Sequence, residues 1–82
     1  MSPGEIAELI RAHLPGADVR VASDDNTHFE ARIVAEAFEG KRAIARHQMV
    51  YASLGDRMGG EIHALSIQAF TPDEWREKSA EQ

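Results

Sequence analysis

Cysteine is absent from all 82 residues. That rules out a disulfide framework and any thiolate ligand supplied by this chain. A metal held here needs nitrogen or oxygen donors, or thiolates lent by a partner. Basic residues are few: nine Lys and Arg stand against fourteen Asp and Glu, for a formal charge of −5. Duplex DNA is a polyanion bound largely through many Lys and Arg contacts, so this balance disfavours a dedicated nucleic-acid surface. No apolar run approaches the roughly 20 residues that a membrane-spanning helix needs. Met1-Ser2-Pro3-Gly4-Glu5 shows no basic segment leading into an apolar one, so no signal peptide is expected. These features together point to a cytoplasmic protein with no membrane partner.

A chain of this length makes one domain, expected to span residues 1–82, with no internal repeat or linker. Such a domain buries only about 60–65% of the surface its unfolded chain exposes, which leaves little room for a deep enclosed site. Ser2-Pro3-Gly4-Glu5 reads as a helix start: Ser2 caps, Pro3 takes the first helical position and Glu5 completes a capping box. Ile6, Leu9, Ile10 and Leu14 fall on one face, and Pro15-Gly16 ends the helix. Ala17, Val19 and Val21 alternate with polar residues, which predicts a short strand. Ser23 to Thr27 is turn chemistry, and from His28 a second alternating strand follows as the other arm of a hairpin.

Glu39-Gly40-Lys41 interrupts that pattern. Ile44, Tyr51 and Met58 then recur seven apart beside Val50 and Leu54, predicting a second helix that Gly55, Gly59 and Gly60 loosen at its end. A third strand is expected over Ile62 to Phe70. Thr71-Pro72-Asp73-Glu74 repeats the capping logic, Trp75 packs back, and the tail 77–82 is expected to fray. The order is α-β-β-α-β-α. A helical crossover makes strands two and three parallel if they are neighbours. The expected class is thus α/β (α+β), a three-stranded mixed sheet with helices on one face.

Four histidines raise the question of metal: His13, His28, His47 and His63. None shows a spacing typical of zinc sites. His13 falls near the C-terminus of helix one, where a histidine suits the helix dipole, and His47 lies mid-helix. His28 and His63 both fall toward one end of a parallel strand pair. Two imidazoles could face one site there, or each could simply start a strand. Gly40-Lys41-Arg42-Ala43-Ile44-Ala45-Arg46-His47 is the one basic cluster. Lys41, Arg42 and Arg46 could contact phosphate or a partner, or form a solvated helix start. No phosphate loop, dinucleotide fingerprint or Gly-x-x-Gly RNA clamp occurs. Ser53 and Ser66 have no base and orienter in sequence reach, so no catalytic residue is expected.

Four segments occur in an order and spacing that resemble the BolA family. They are Phe38-Glu39-Gly40-Lys41, Arg46-His47-x-x-Val50, Ile62-His63-Ala64-Leu65-Ser66-Ile67 and Thr71-Pro72-x-Glu74-Trp75. Thr27-His28-Phe29 is similar to the family's second-strand start, and the likeness runs over about residues 5 to 76. Within the family the chain is most similar to the short IbaG-type acid-stress branch. The resemblance implies a class II KH-like fold and a monothiol glutaredoxin partner. It also implies a [2Fe–2S] cluster shared in the complex, with a glutaredoxin cysteine and a glutathione thiolate on one side. His63 matches the family's C-terminal histidine ligand, and His28 is the matching candidate for the second. Histidine ligation would raise the cluster potential and make its retention fall at acid pH. Some family members are described as DNA-binding, which makes Lys41, Arg42 and Arg46 the contact surface of a competing regulator reading. No apolar seam announces an assembly, so a monomer or weak homodimer is expected on its own.

Overall fold

A computed structural model describes residues 1–80. Helix α1 covers Pro3–His13, strand β1 Asp18–Ala22 and strand β2 His28–Val34. A 3-10 turn at Glu36–Phe38 leads to helix α2, Ala43–Leu54. A second 3-10 turn, Gly55–Arg57, precedes strand β3, Ala64–Phe70, and helix α3, Pro72–Ala80. The predicted order is therefore present. The fraying expected for 77–82 falls partly on Glu81 and Gln82, which lie outside the described residues; Glu77 to Ala80 are helical.

Local chemistry explains the boundaries. The Glu5 backbone N–H donates to Ser2 Oγ at 3.2 Å, and the Ser2 backbone N–H donates to Glu5 Oε1 at 3.0 Å. This reciprocal pair satisfies two of the donors that a helix start leaves open. The same box opens α3: Glu74 N–H donates to Thr71 Oγ1 at 3.2 Å and Thr71 N–H to Glu74 Oε1 at 2.9 Å. Gly55 ends α2 at φ +56°, a left-handed conformation that a Cβ disfavours.

The sheet order is β1-β2-β3. β1 and β2 are antiparallel, with Val19 opposite Ile33 and Val21 opposite Ala31. β2 and β3 are parallel, with Phe29 beside Leu65 and Ile33 beside Ala69. Because side chains alternate along each strand, these pairs share one face. That face carries the core: Val19, Phe29, Ala31 and Ile33 pack with Ile6 and Ile10 of α1, with Leu14 just after it, and with Val50 and Leu54 of α2. Phe38 and Ile62, from the connections, are also fully buried. β3 starts two residues later than the sequence pattern suggests. Ile62 leaves the strand to fill the core and bridges to Met58 instead, and His63 lies in the bend before β3.

α3 closes the far end of the sheet. Trp75 lies against Phe70, ring centroids 5.3 Å apart, and the Arg32 guanidinium stacks 4.3 Å from the Trp75 ring. This cation–π contact explains how Arg32 tolerates partial burial with its Nε lacking a hydrogen-bond partner.

Candidate metal-ligand site at one end of the sheet

The parallel register fixes where the two histidines of interest fall. His28 is the first residue of β2 and pairs with Ala64, the first residue of β3. His63 precedes Ala64 by one residue. Neighbouring strands run about 4.8 Å apart and successive Cα atoms about 3.8 Å, so the two histidine backbones are close neighbours at one sheet end. Both residues are exposed. α2 returns antiparallel to the strands it connects, so its C-terminal end, with Tyr51, Leu54 and Gly55, reaches the same end of the molecule.

His28 is held by the turn before it. Asp25 Oδ1 accepts the backbone N–H of Thr27 and of His28, both at 2.9 Å, and Asp25 Oδ2 lies 2.9 Å from His28 Nδ1. The His28 backbone N–H, its ring and the Thr27 N–H hold the Asp25 carboxyl well below the usual carboxylate range. Asn26 takes the left-handed conformation at φ +55° that lets the chain reverse in so few residues. A shallow groove of about 320 Å³ opens beside the ring, lined by Ser23, Asp25, His28, Glu30, Ala64 and Ser66 among others; His63 stands outside it. Asp25 reads in the sequence as turn chemistry alone. The signal for its second role is a carboxylate three residues before a histidine inside a turn.

Among the described residues, no cluster of three or more His, Asp or Glu side chains is placed to hold an ion. Two imidazoles, His28 and His63, stand at this end of the sheet, with the carboxylates of Asp24, Asp25 and Glu30 lining the groove beside His28. Two imidazole donors suit a centre whose remaining ligands come from elsewhere. The Nδ1 contact to Asp25 leaves His28 Nε2 open, and the His28 side chain is 71% exposed. The residues present fit a shared metal centre in donor type and accessibility.

His13 is exposed at the end of α1 and His47 half-buried on α2; neither joins the other pair. The basic cluster divides. Lys41 and Arg42 are exposed. Arg46 turns inward, with only 12% of its side chain accessible. It donates to the carbonyls of Lys41 at 2.8 Å and Ala69 at 3.1 Å and forms a two-pronged pair with Glu74 at 2.6 and 3.1 Å. That pair raises the Arg46 pKa and takes Glu74 down to about 2. Arg46 therefore joins α2, β3 and α3 and has little left for a phosphate or partner. The cause is its position one turn before Val50 and two before Leu54, on the helix face that packs inward. Among the described residues no helix is long and apolar enough to cross a membrane.

A family profile described as BolA-like protein matches residues 10–74. A protein of the rpoN-murA intergenic region of Acinetobacter guillouiae is 41% identical over 80 residues, covering 96% of this chain and 95% of that protein. Human BolA-like protein 1 is 46% identical over 59 residues, or 72% of this chain and 43% of the human protein. The chain thus matches less than half the length of that relative. The structure of a bolA protein homologue from Coxiella burnetii superimposes with a TM-score of 0.78 at 40% identity, covering 93% of this chain and 97% of that one. These likenesses and the shared topology define the class as a small α+β domain with a three-stranded mixed sheet. The chain belongs to the BolA-like family.

Proposed function

We propose that this protein is a non-enzymatic partner of a monothiol glutaredoxin, with which it shares a [2Fe–2S] cluster through His63 and His28. Its role is the handling of iron–sulfur clusters, or the signalling of iron and stress status, in the cytoplasm. The observation that carries this reading is the parallel register. It brings the backbones of two exposed histidines to one end of a sheet, in a cysteine-free member of the BolA-like family, and this supports the reading. His63 and His28 would hold one side of the cluster; a glutaredoxin cysteine and glutathione would hold the other. Bound there, the cluster supplies a one-electron centre whose potential imidazole ligation raises relative to an all-thiolate site. Everything else falls to this chain: β2 and β3 bring the two histidine backbones to one sheet end, and Asp25 engages the His28 ring.

The competing reading, a DNA-binding regulator using α2, is supported less. With Arg46 committed internally, Lys41 and Arg42 remain of the three basic residues, on a chain of net charge −5.

The test is a titration of the protein into a cluster-loaded monothiol glutaredoxin with glutathione, followed by visible absorbance and circular dichroism. The wild type is expected to produce a new spectrum that His63→Ala abolishes and His28→Ala weakens or alters. The new absorbance is expected to fall on acidification from pH 8 to 5, since protonated imidazole cannot ligate. An unchanged spectrum with wild type contradicts the cluster-sharing role.

A further inference from the structure

The turn before His28 does more than reverse the chain. Asp25 uses one carboxylate oxygen to hold the backbone, accepting from Thr27 and His28, and turns the other to the His28 ring at 2.9 Å. Ser23 secures the same turn: its Oγ accepts from the Asn26 N–H at 2.9 Å and donates to the His28 carbonyl at 2.6 Å. The imidazole is thus anchored at its backbone and at one ring nitrogen.

An ionised carboxylate can only accept hydrogen bonds. His28 Nδ1 must then carry the hydrogen. In the neutral ring this leaves the lone pair on Nε2, across the ring from Asp25 and on a side chain that is 71% exposed. Neutral histidine free in water favours the opposite arrangement, with hydrogen on Nε2. The local fold therefore selects the minor tautomer and presents the ring nitrogen that a metal can use. Carboxylates placed behind metal-binding imidazoles have this effect: they fix tautomer and ring orientation and raise donor strength.

We infer that Asp25 is a positioning residue that commits His28 to metal ligation through Nε2; the inference rests on the cluster-sharing reading above.

Asp25→Asn separates this role from the turn. The asparagine oxygen still accepts the Thr27 and His28 N–H groups, while its amide donates toward Nδ1 and drives the hydrogen to Nε2. The same exchange beside the histidine of a serine-protease triad keeps the geometry and yields the wrong tautomer. The first readout is ¹⁵N-detected NMR of the histidine rings in the metal-free protein at pH 8. His28 is expected as Nδ1–H in wild type and as Nε2–H in Asp25→Asn. Nε2–H in wild type overturns the inference whatever the cluster does. Backbone amide shifts unchanged outside 23–29 establish that the variant folds. If it does not, Asp25→Ser, whose single hydroxyl keeps a turn acceptor but leaves none for the ring, is expected to give the same tautomer change.

The second readout is the lifetime of the visible spectrum after mixing with [2Fe–2S]-loaded monothiol glutaredoxin and glutathione. Asp25→Asn is expected to shorten it by roughly 10- to 100-fold. A wild-type lifetime in Asp25→Asn, with the signal weakened, altered or lost in His28→Ala, overturns the positioning role and leaves cluster sharing standing. A wild-type spectrum in both His28→Ala and His63→Ala overturns the two together.

Discussion

Arg46 shows how far a single side chain can depart from what its neighbours in sequence suggest. Beside Lys41, Arg42 and His47 it reads as part of a basic surface. In the fold its guanidinium closes on Glu74, 28 residues away, and on two backbone carbonyls. Nothing local in the sequence encodes that partner, because the bidentate pair forms only once β3 has brought α3 alongside α2. Truncating Arg46 to Ala removes these bonds at a site where the side chain is 12% exposed. The expected cost is on the order of 2 kcal/mol, measured by urea denaturation.

The pair also has a pH signature. Glu74 sits at about 2 against an ordinary 4.5, held down first by Arg46 and then by the Thr71 N–H. A carboxylate lowered by folding contributes stability that is fully present above its ordinary value and is lost as pH falls toward its folded value. Urea midpoints are therefore expected to drop between about pH 5 and 2 in wild type, and to drop less steeply in Glu74→Gln. A residual slope remains from Asp25, which is lowered as well. Equal slopes in the two proteins would contradict the account of this pair.

At the scale of elements, the termini were the most legible parts. Both capping boxes form as their sequences predict, because a cap is settled within four residues and needs no tertiary partner. Thr71→Ala is expected to cost about 1 kcal/mol in the same denaturation experiment. The face of α2 was less legible. The recurrence of Ile44, Tyr51 and Met58 beside Val50 and Leu54 predicts the helix but does not say which of these residues face inward. In the fold Ile44 is 71% and Tyr51 41% exposed, while Val50 and Leu54 are fully buried. A helix turning every 3.6 residues keeps positions four apart on one face over this length, so the inward row is Arg46, Val50 and Leu54. The arginine at its head hides that row from a hydrophobicity pattern. Leu54→Ala is accordingly expected to cost about 2–5 kcal/mol. Ile44→Ala should stay within about 0.5 kcal/mol. The reverse order of effects would place the core on the other face.

For the whole molecule, the parallel pairing of β2 and β3 is what turns two distant histidines into neighbours. The strand order was readable from the helical crossover and from alternation along β2. The placement of His28 and His63 at one sheet end followed from it. The turn geometry that engages the His28 ring was not readable, because it depends on the side-chain conformation of Asp25 and the left-handed backbone at Asn26. The global charge of −5 bears on partners at this scale too. Nonspecific DNA binding, measured by fluorescence anisotropy across a salt series, is expected to be weak at physiological salt and to show a shallow salt slope, because few cations are free to displace counterions. Tight binding with a steep slope would revive the regulator reading.

Native mass spectrometry of the protein mixed with a cluster-loaded monothiol glutaredoxin and glutathione tests the central claim most directly. Cluster sharing predicts one species containing one copy of this chain, one glutaredoxin, one glutathione and one [2Fe–2S] unit, absent when His63 is replaced by Ala. A spectrum in which the cluster stays with glutaredoxin alone, and this chain flies free of iron, would contradict it.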